Sequence, residues 1–285
     1  MFGAAVPGYV FCWLQHPGMN PVDAALSALS CVPCDERAFA VRALGFVADA
    51  ELLKGCVLMA ILCGLWMTGR GLERTREVRS RIVMTVGAAF TALCVARLLA
   101  VALPFRARPF EMTGGDPTVA YRALERWSAF PSDHAALFFA LAAGIAVISR
   151  PLGALALIHA VVVITLPRLY LGLHYPTDML AGAAIGTLCA LAATREGVWR
   201  RCAPPILVWS EGRHAPWFGA VAFVATFEIA TLFDSVRSGA RLLLPVVKPA
   251  FTGAHTTALQ ILAAVVVLVP LVCLCVASTR QTSSS

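Results

Sequence analysis

Pro167-Arg168-Leu169-Tyr170-Leu171-Gly172-Leu173-His174-Tyr175-Pro176-Thr177-Asp178 lies between two long apolar segments. An Arg, a His and an Asp stand there at fixed spacing, where the surrounding sequence is otherwise suited to lipid. Ionisable groups at membrane depth are costly, so a cluster of them marks a functional site by default. Upstream, Pro131-Ser132-Asp133-His134 places a second His at the edge of another apolar segment. Two His, an Asp and several Arg are the kit for moving a phosphoryl group without a metal.

The rest of the chain agrees with a membrane setting. Of its 285 residues 59% are hydrophobic and 14% charged, against roughly 45–50% and about 25% in soluble domains. The expected fold is all-α, a polytopic membrane helix bundle. Its six or seven transmembrane helices are expected at about 48–68, 82–104, 133–149, 152–166, 176–193, 216–233 and 255–277, with roughly 20 apolar residues needed per span. Residues 1–47 read as an interfacial or re-entrant segment, 48–195 as the catalytic core, and 196–285 as a basic loop, two further spans and a polar tail. Met1–Leu14 lacks a basic start and makes a poor cleaved signal peptide.

The net charge of +7 comes from Arg far more than Lys. No basic stripe with interleaved aromatics is present, which argues against nucleic acid as a partner. Anionic headgroups and basic cytoplasmic loops account for the charge. Most of the ten Cys fall within apolar segments. Cys31-Val-Pro-Cys34 is the one close pair, and no second pair or neighbouring His completes a zinc site.

Alternating spans bring the 105–132 loop and the 167–175 connection to one face. The basic stretches 69–81 and 195–213 fall on the other, which the positive-inside rule makes cytoplasmic. The site is therefore expected to face the periplasm or the outside of a cell inner membrane. Lys and Arg divide about evenly between the two faces, so charge alone decides this weakly.

Pro176 suits the first turn of a helix, which puts Asp178 in that turn and His174 four residues earlier. A carboxylate there can accept from His174 Nδ1–H and leave Nε2 free as a nucleophile. Arg168 offers a planar fork of donors to phosphate oxygens. Ser132 reads as the N-cap of the next helix, whose free amides form an anion site. His134 would stand beside that anion and protonate a leaving oxygen. Arg106, Arg108 and Arg97 add guanidinium charge. His159 reads as a satisfied polar residue within a span. Glu228 reads as an interhelical hydrogen-bonding group or a substrate contact. His16, His214 and His255 are assigned nothing.

At these residues the chain resembles the type-2 phosphatidic acid phosphatase family, membrane relatives of the vanadium haloperoxidases. That family carries a Lys or Arg with Arg-Pro some seven residues on, then Pro-Ser-Gly-His, then Ser-Arg, five residues, His, three residues, Asp. This chain has Arg108-Pro109, then Pro131-Ser132-Asp133-His134, then Pro167-Arg168 with His174 and Asp178 at the family's spacing. The resemblance covers about residues 48–195. It implies that His174 is the nucleophile, Asp178 its orienter and His134 the general acid. Arg108, Ser132 and Arg168 become phosphate ligands, Asp133 stands beside that phosphate, and no metal or other cofactor is needed. The chain departs from the pattern in Pro167 for Ser, Asp133 for Gly, and Val101 where the first basic residue would fall. Arg97 or Arg106 is left to complete the first motif.

The implied activity is that of a metal-independent lipid phosphatase, acting on a lipid phosphate or diphosphate whose tail stays in the bilayer. Undecaprenyl diphosphate is favoured, with phosphatidate and phosphatidylglycerol phosphate close behind. Phosphotransfer to a lipid or glycan, or a non-enzymatic transporter or scaffold, are the rival readings. Intact His134, His174 and Asp178 weigh against the last. Oligomeric state is left open.

Overall fold

The computed structural model describes residues 19–28, 37–68, 71–109 and 128–232. The expected span at 255–277, the stretch 110–127 and the Cys31/Cys34 pair lie outside them. Among the described residues every regular element is helical. In chain order these are α1 (Pro21–Ala28), α2 (Arg37–Asp49), α3 (Leu52–Met67), α4 (Leu72–Ala102), α5 (Asp133–Ile148), α6 (Arg150–Tyr170), α7 (Pro176–Ala193), α8 (Glu196–Trp209) and α9 (Ala215–Ala230).

Three of them, α4, α6 and α7, are long and apolar enough to cross a membrane, and α3 and α5 are shorter apolar helices. This is a membrane protein. Leu155, Ile158, Val162, Leu180 and Leu188 stay exposed on α6 and α7. Such faces suit lipid rather than water.

α5 is the centre of the bundle. Ala135, Ala136, Leu137, Phe138, Ala140, Leu141, Ala142 and Ile145 are all fully buried. A helix apolar on every side belongs in a core. Protein surrounds it, with α4, α6 and α7 packed against it. The approach to α7 is close, and Gly182 and Gly186 face α5 there. A Cβ at Gly182 would meet the Ser132 carbonyl and Ala135, and one at Gly186 would meet the Ala136 carbonyl and the Ala140 amide. Small residues four apart let helix backbones approach this closely.

Arg81 and Arg97 fix the register of α4 against α5. Arg81 Nη1 donates to the Val147 carbonyl at 3.3 Å, at the C-terminal end of α5, where positive charge is favoured. Four helical turns on, Arg97 pairs with Asp133 at the N-terminal end of α5.

Several boundaries differ from the sequence reading. The basic stretch 69–81 is largely the start of α4 and not a loop. Glu77 pairs with Arg74 and Arg81 one turn either side, each at 2.8 Å, and such pairs support an exposed helix. The basic stretch after α7 likewise contains α8. Pro167 and Arg168 belong to α6 and not to the connection. A π-helical stretch at Ala160–Thr165 precedes Pro167, which re-aims the hydrogen-bond ladder where Pro supplies no amide. The connection to α7 shrinks to Leu171–Tyr175, with Gly172 at φ 67°, a conformation that favours Gly.

His159 Nε2 lies 2.7 Å from the Leu53 carbonyl and so ties α6 to α3.

Candidate active site

Two helix starts meet at one end of the bundle. The α5 start is capped by Ser132, whose Oγ accepts from the Ala135 amide at 3.4 Å. The α7 start has Pro176 in its first position and Asp178 in its first turn. The Ser132 amide donates to the Asp178 carbonyl at 3.0 Å and joins the two starts directly. The glycine contact between α5 and α7 makes that approach possible.

His174 sits between them, buried along with Asp178. Its Nδ1 lies 2.9 Å from the Ala129 carbonyl oxygen. A carbonyl only accepts, so Nδ1 carries the proton and Nε2 presents its lone pair. Arg108 Nη1 lies 3.2 Å from that Nε2 and also donates to the Leu173 carbonyl at 2.7 Å.

Asp178 was expected to accept from His174 Nδ1. Its Oδ2 is 3.7 Å away, too far for a hydrogen bond. That oxygen accepts from the Tyr175 amide at 2.8 Å instead, which holds the backbone next to His174. The orienting hydrogen bond comes from Ala129, a backbone group no side-chain motif records. Asp178 remains close enough to act on the imidazole through its charge.

Burial pushes His174 below the ordinary imidazole value, with the Arg108 guanidinium adding to the effect. Asp178 opposes the shift and is outweighed. His174 is thus held neutral around pH 7, the form a nucleophile requires.

Asp133 is engaged on two sides. One oxygen, Oδ1, lies 2.8 Å from His134 Nδ1 and accepts from the His134 amide at 2.7 Å. The other pairs with Arg97. This arrangement turns the carboxylate toward Arg97 and fixes the His134 ring. One ligand atom each from Asp133, His134 and His174 falls within 4.8 Å of the others. That span is small enough for one bound group to touch both imidazoles. The trio could also hold a metal ion, although Arg97 and Arg108 already place positive charge against two of its members.

Arg168 is buried, with Nη1 donating to the Ile164 carbonyl at 2.9 Å and Nη2 to the Ala48 carbonyl at 3.3 Å. Those bonds brace the end of α6 against α2. Arg106 bonds Asp178 and not the Arg97–Asp133 pair: its Nη1 lies 2.5 Å from Asp178 Oδ1 and its Nη2 2.5 Å from Asp23 Oδ2. The Arg106 carbonyl also accepts from the Ala129 amide at 2.8 Å, which sets the Ala129 carbonyl that holds His174.

Sequence reasoning missed Asp23 and Thr177. Thr177 donates its amide and hydroxyl to Asp23, each at 2.9 Å. The one available signal was Asn20-Pro21-Val22-Asp23, a helix-start pattern that mirrors Tyr175-Pro176-Thr177-Asp178.

The PAP2 superfamily family model matches residues 81–202, which hold α4 from Arg81 onward, α5 to α7, and all the clustered residues except Asp23. Two curated relatives were found. The Bacitracin transport permease protein BcrC of Bacillus licheniformis is 42% identical over 64 residues, 22% of this chain and 31% of that protein. The Putative undecaprenyl-diphosphatase YbjG of Escherichia coli (strain K12) is 29% identical over 155 residues, 54% of this chain and 71% of that protein. The chain thus spans about a third of the first relative's length. No solved structure matches. Over residues 81–202, which hold the site residues other than Asp23, the chain is similar to the PAP2 superfamily.

Proposed function

We propose that the protein is a membrane lipid phosphatase working through a phosphohistidine on His174, with an isoprenoid diphosphate such as undecaprenyl diphosphate as substrate. The observation that carries this reading is His174 itself: neutral, with Nδ1 committed to Ala129 and Nε2 beside Arg108. In the first step Nε2 attacks phosphorus, the bond to the leaving oxygen breaks, and His134 gives that oxygen a proton. In the second, water attacks the phosphohistidine, His134 takes the water's proton, and phosphate leaves His174. Phosphoryl transfer depends mainly on positioning and charge. Arg108, Arg168, the Ser132 helix start and Arg97 with Asp133 are the groups proposed to supply both.

The named relative from Escherichia coli supports a diphosphate substrate, and the family supports phosphate-ester chemistry. Purified full-length protein in detergent is expected to release phosphate from a panel of lipid phosphates and diphosphates with EDTA present, fastest from the isoprenoid diphosphate. A glycerolipid phosphate at the head of the order would replace the substrate. Loss of all activity on chelation would replace the metal-free mechanism. The site is proposed to face the outside of a cell inner membrane; a membrane-impermeant substrate analogue hydrolysed only by opened cells would reverse that orientation.

The pH dependence follows from His174. Its neutral form attacks, so kcat/KM rises with pH as His174 loses its proton and then levels off. Its value in the folded protein is below the ordinary one of about 6.5, so the midpoint of that limb should lie below about 6.5. Arg108 helps depress it, so Arg108→Gln should move the limb to higher pH while also weakening activity. A limb that stays put or moves down in Arg108→Gln would show that another group titrates.

A further inference from the structure

The N-terminal helix α1 reaches the site through one buried carboxylate. Asp23 has no exposed side-chain surface, and it lies 155 positions before Asp178 in the sequence. Its Oδ2 pairs with Arg106 Nη2, and the other arm of the same guanidinium pairs with Asp178 Oδ1, both at 2.5 Å. Arg106 Nη1 also donates to the Thr177 hydroxyl at 2.9 Å. The guanidinium carbon stands 4.0 Å from the Tyr175 ring centre, and Met19 packs on that ring from α1's side. Asn20 anchors Asp23 in turn: the Asp23 amide donates to Asn20 Oδ1 at 2.8 Å.

Two helix starts of the same design, each with Pro in its first turn and Asp two residues later, therefore share one guanidinium. This is a fully closed link. Asp178 Oδ2 holds the Tyr175 amide, and Arg106 positions the Ala129 amide through its carbonyl. Both ends of the His174 environment hang on Arg106. A guanidinium clamped by two carboxylates keeps one geometry, since its fork is planar and rigid. Removing one partner of such a buried arrangement leaves the rest miscompensated.

We infer that Asp23 is a positioning residue for His174, acting through Arg106 and Asp178, so that α1 forms part of the catalytic apparatus rather than a membrane anchor. The inference rests on the proposed role of His174. Misplacement of a reacting group by about 1 Å can cost about a hundredfold in rate.

The test compares Asp23→Asn, Asp23→Glu and Arg106→Gln in the full chain, in detergent with farnesyl diphosphate. Asp23→Asn is expected to lower kcat by about tenfold or more with KM changed less than about twofold. Asp23→Glu should recover most of the loss. Asp23→Asn combined with Arg106→Gln should be no worse than Arg106→Gln alone, because both act through one link. A second readout needs no turnover: the rate at which diethyl pyrocarbonate modifies His174, followed peptide by peptide. That rate should rise several-fold in Asp23→Asn and return toward wild type in Asp23→Glu. An unchanged kcat together with an unchanged His174 modification rate in Asp23→Asn overturns the inference. So does full additivity of the double variant. Retained activity in His174→Ala would instead count against the proposed role of His174, and the modification rate would still decide whether Asp23 positions its ring.

Discussion

His174→Ala should remove phosphate release almost completely, by at least about a thousandfold, while the protein stays folded. The scale follows from losses seen when a covalent nucleophile is deleted. His174 is buried, with the Ala129 carbonyl and Arg108 against its two ring nitrogens, and the larger effect of the substitution is expected on rate. The lost side chain also unpairs the Ala129 carbonyl, a penalty of about 1–3 kcal/mol if no water replaces it. Steady-state release from the isoprenoid diphosphate, alongside elution of a single sharp species from size exclusion, separates these effects. A variant retaining a tenth of wild-type activity would place the nucleophile elsewhere.

The second large effect is expected within the α5–α7 contact, about two helical turns beyond Asp178. Gly186→Ile forces a branched side chain into the Ala136 carbonyl and the Ala140 amide. Overpacking of this kind costs about 1–3 kcal/mol or more, and here the obstacle is backbone, which cannot rotate away. The α5–α7 contact also sets the separation of the helix starts that carry His134 and His174. Thermal midpoint should therefore fall by about 5 °C or more, and activity should fall with it even at temperatures where the protein remains folded. Gly64→Ile is the control, since a Cβ there meets nothing within 4 Å. Equal behaviour of the two variants would mean that the close approach of α5 and α7 does not govern the site.

The sequence carried the site where chemistry is local and lost it where chemistry is long-range. Ser132, His134, His174 and Asp178 were legible because each sits within a turn of a helix start, and capping residues with Pro mark such starts. The apolar runs marked α4 to α7 for the same reason, since spans announce themselves by length. The ends of α4 and α6 were not legible. Arg74, Glu77 and Arg81 look like a basic loop until their spacing closes pairs along one helix face. Pro167 looks like a terminator until the π-helical stretch before it absorbs the missing amide.

Side-chain direction was the other gap. Spacing places Asp178 four residues from His174 but does not say which group its oxygens meet. Tyr175 and Arg106 take them, and the Ala129 carbonyl takes the imidazole proton. Asp133 was read as a carboxylate next to phosphate, and it holds Arg97 and His134. Arg168 was read as a phosphate fork; spacing gave no sign that it also bonds Ile164 and Ala48 and so braces two helices. Asp23 stood in a recognisable helix start, but nothing in an eight-residue helix names a partner 83 positions away.

The most direct measurement is to quench the enzyme in alkali while it turns over a substrate labelled in the transferred phosphoryl group, then to locate the label by peptide. Alkali preserves a phosphohistidine. Label is expected on His174 in wild type, stable to base, released by acid, and absent from His174→Ala. Label on another residue, or none on an enzyme shown to be turning over, would contradict a phosphohistidine at His174.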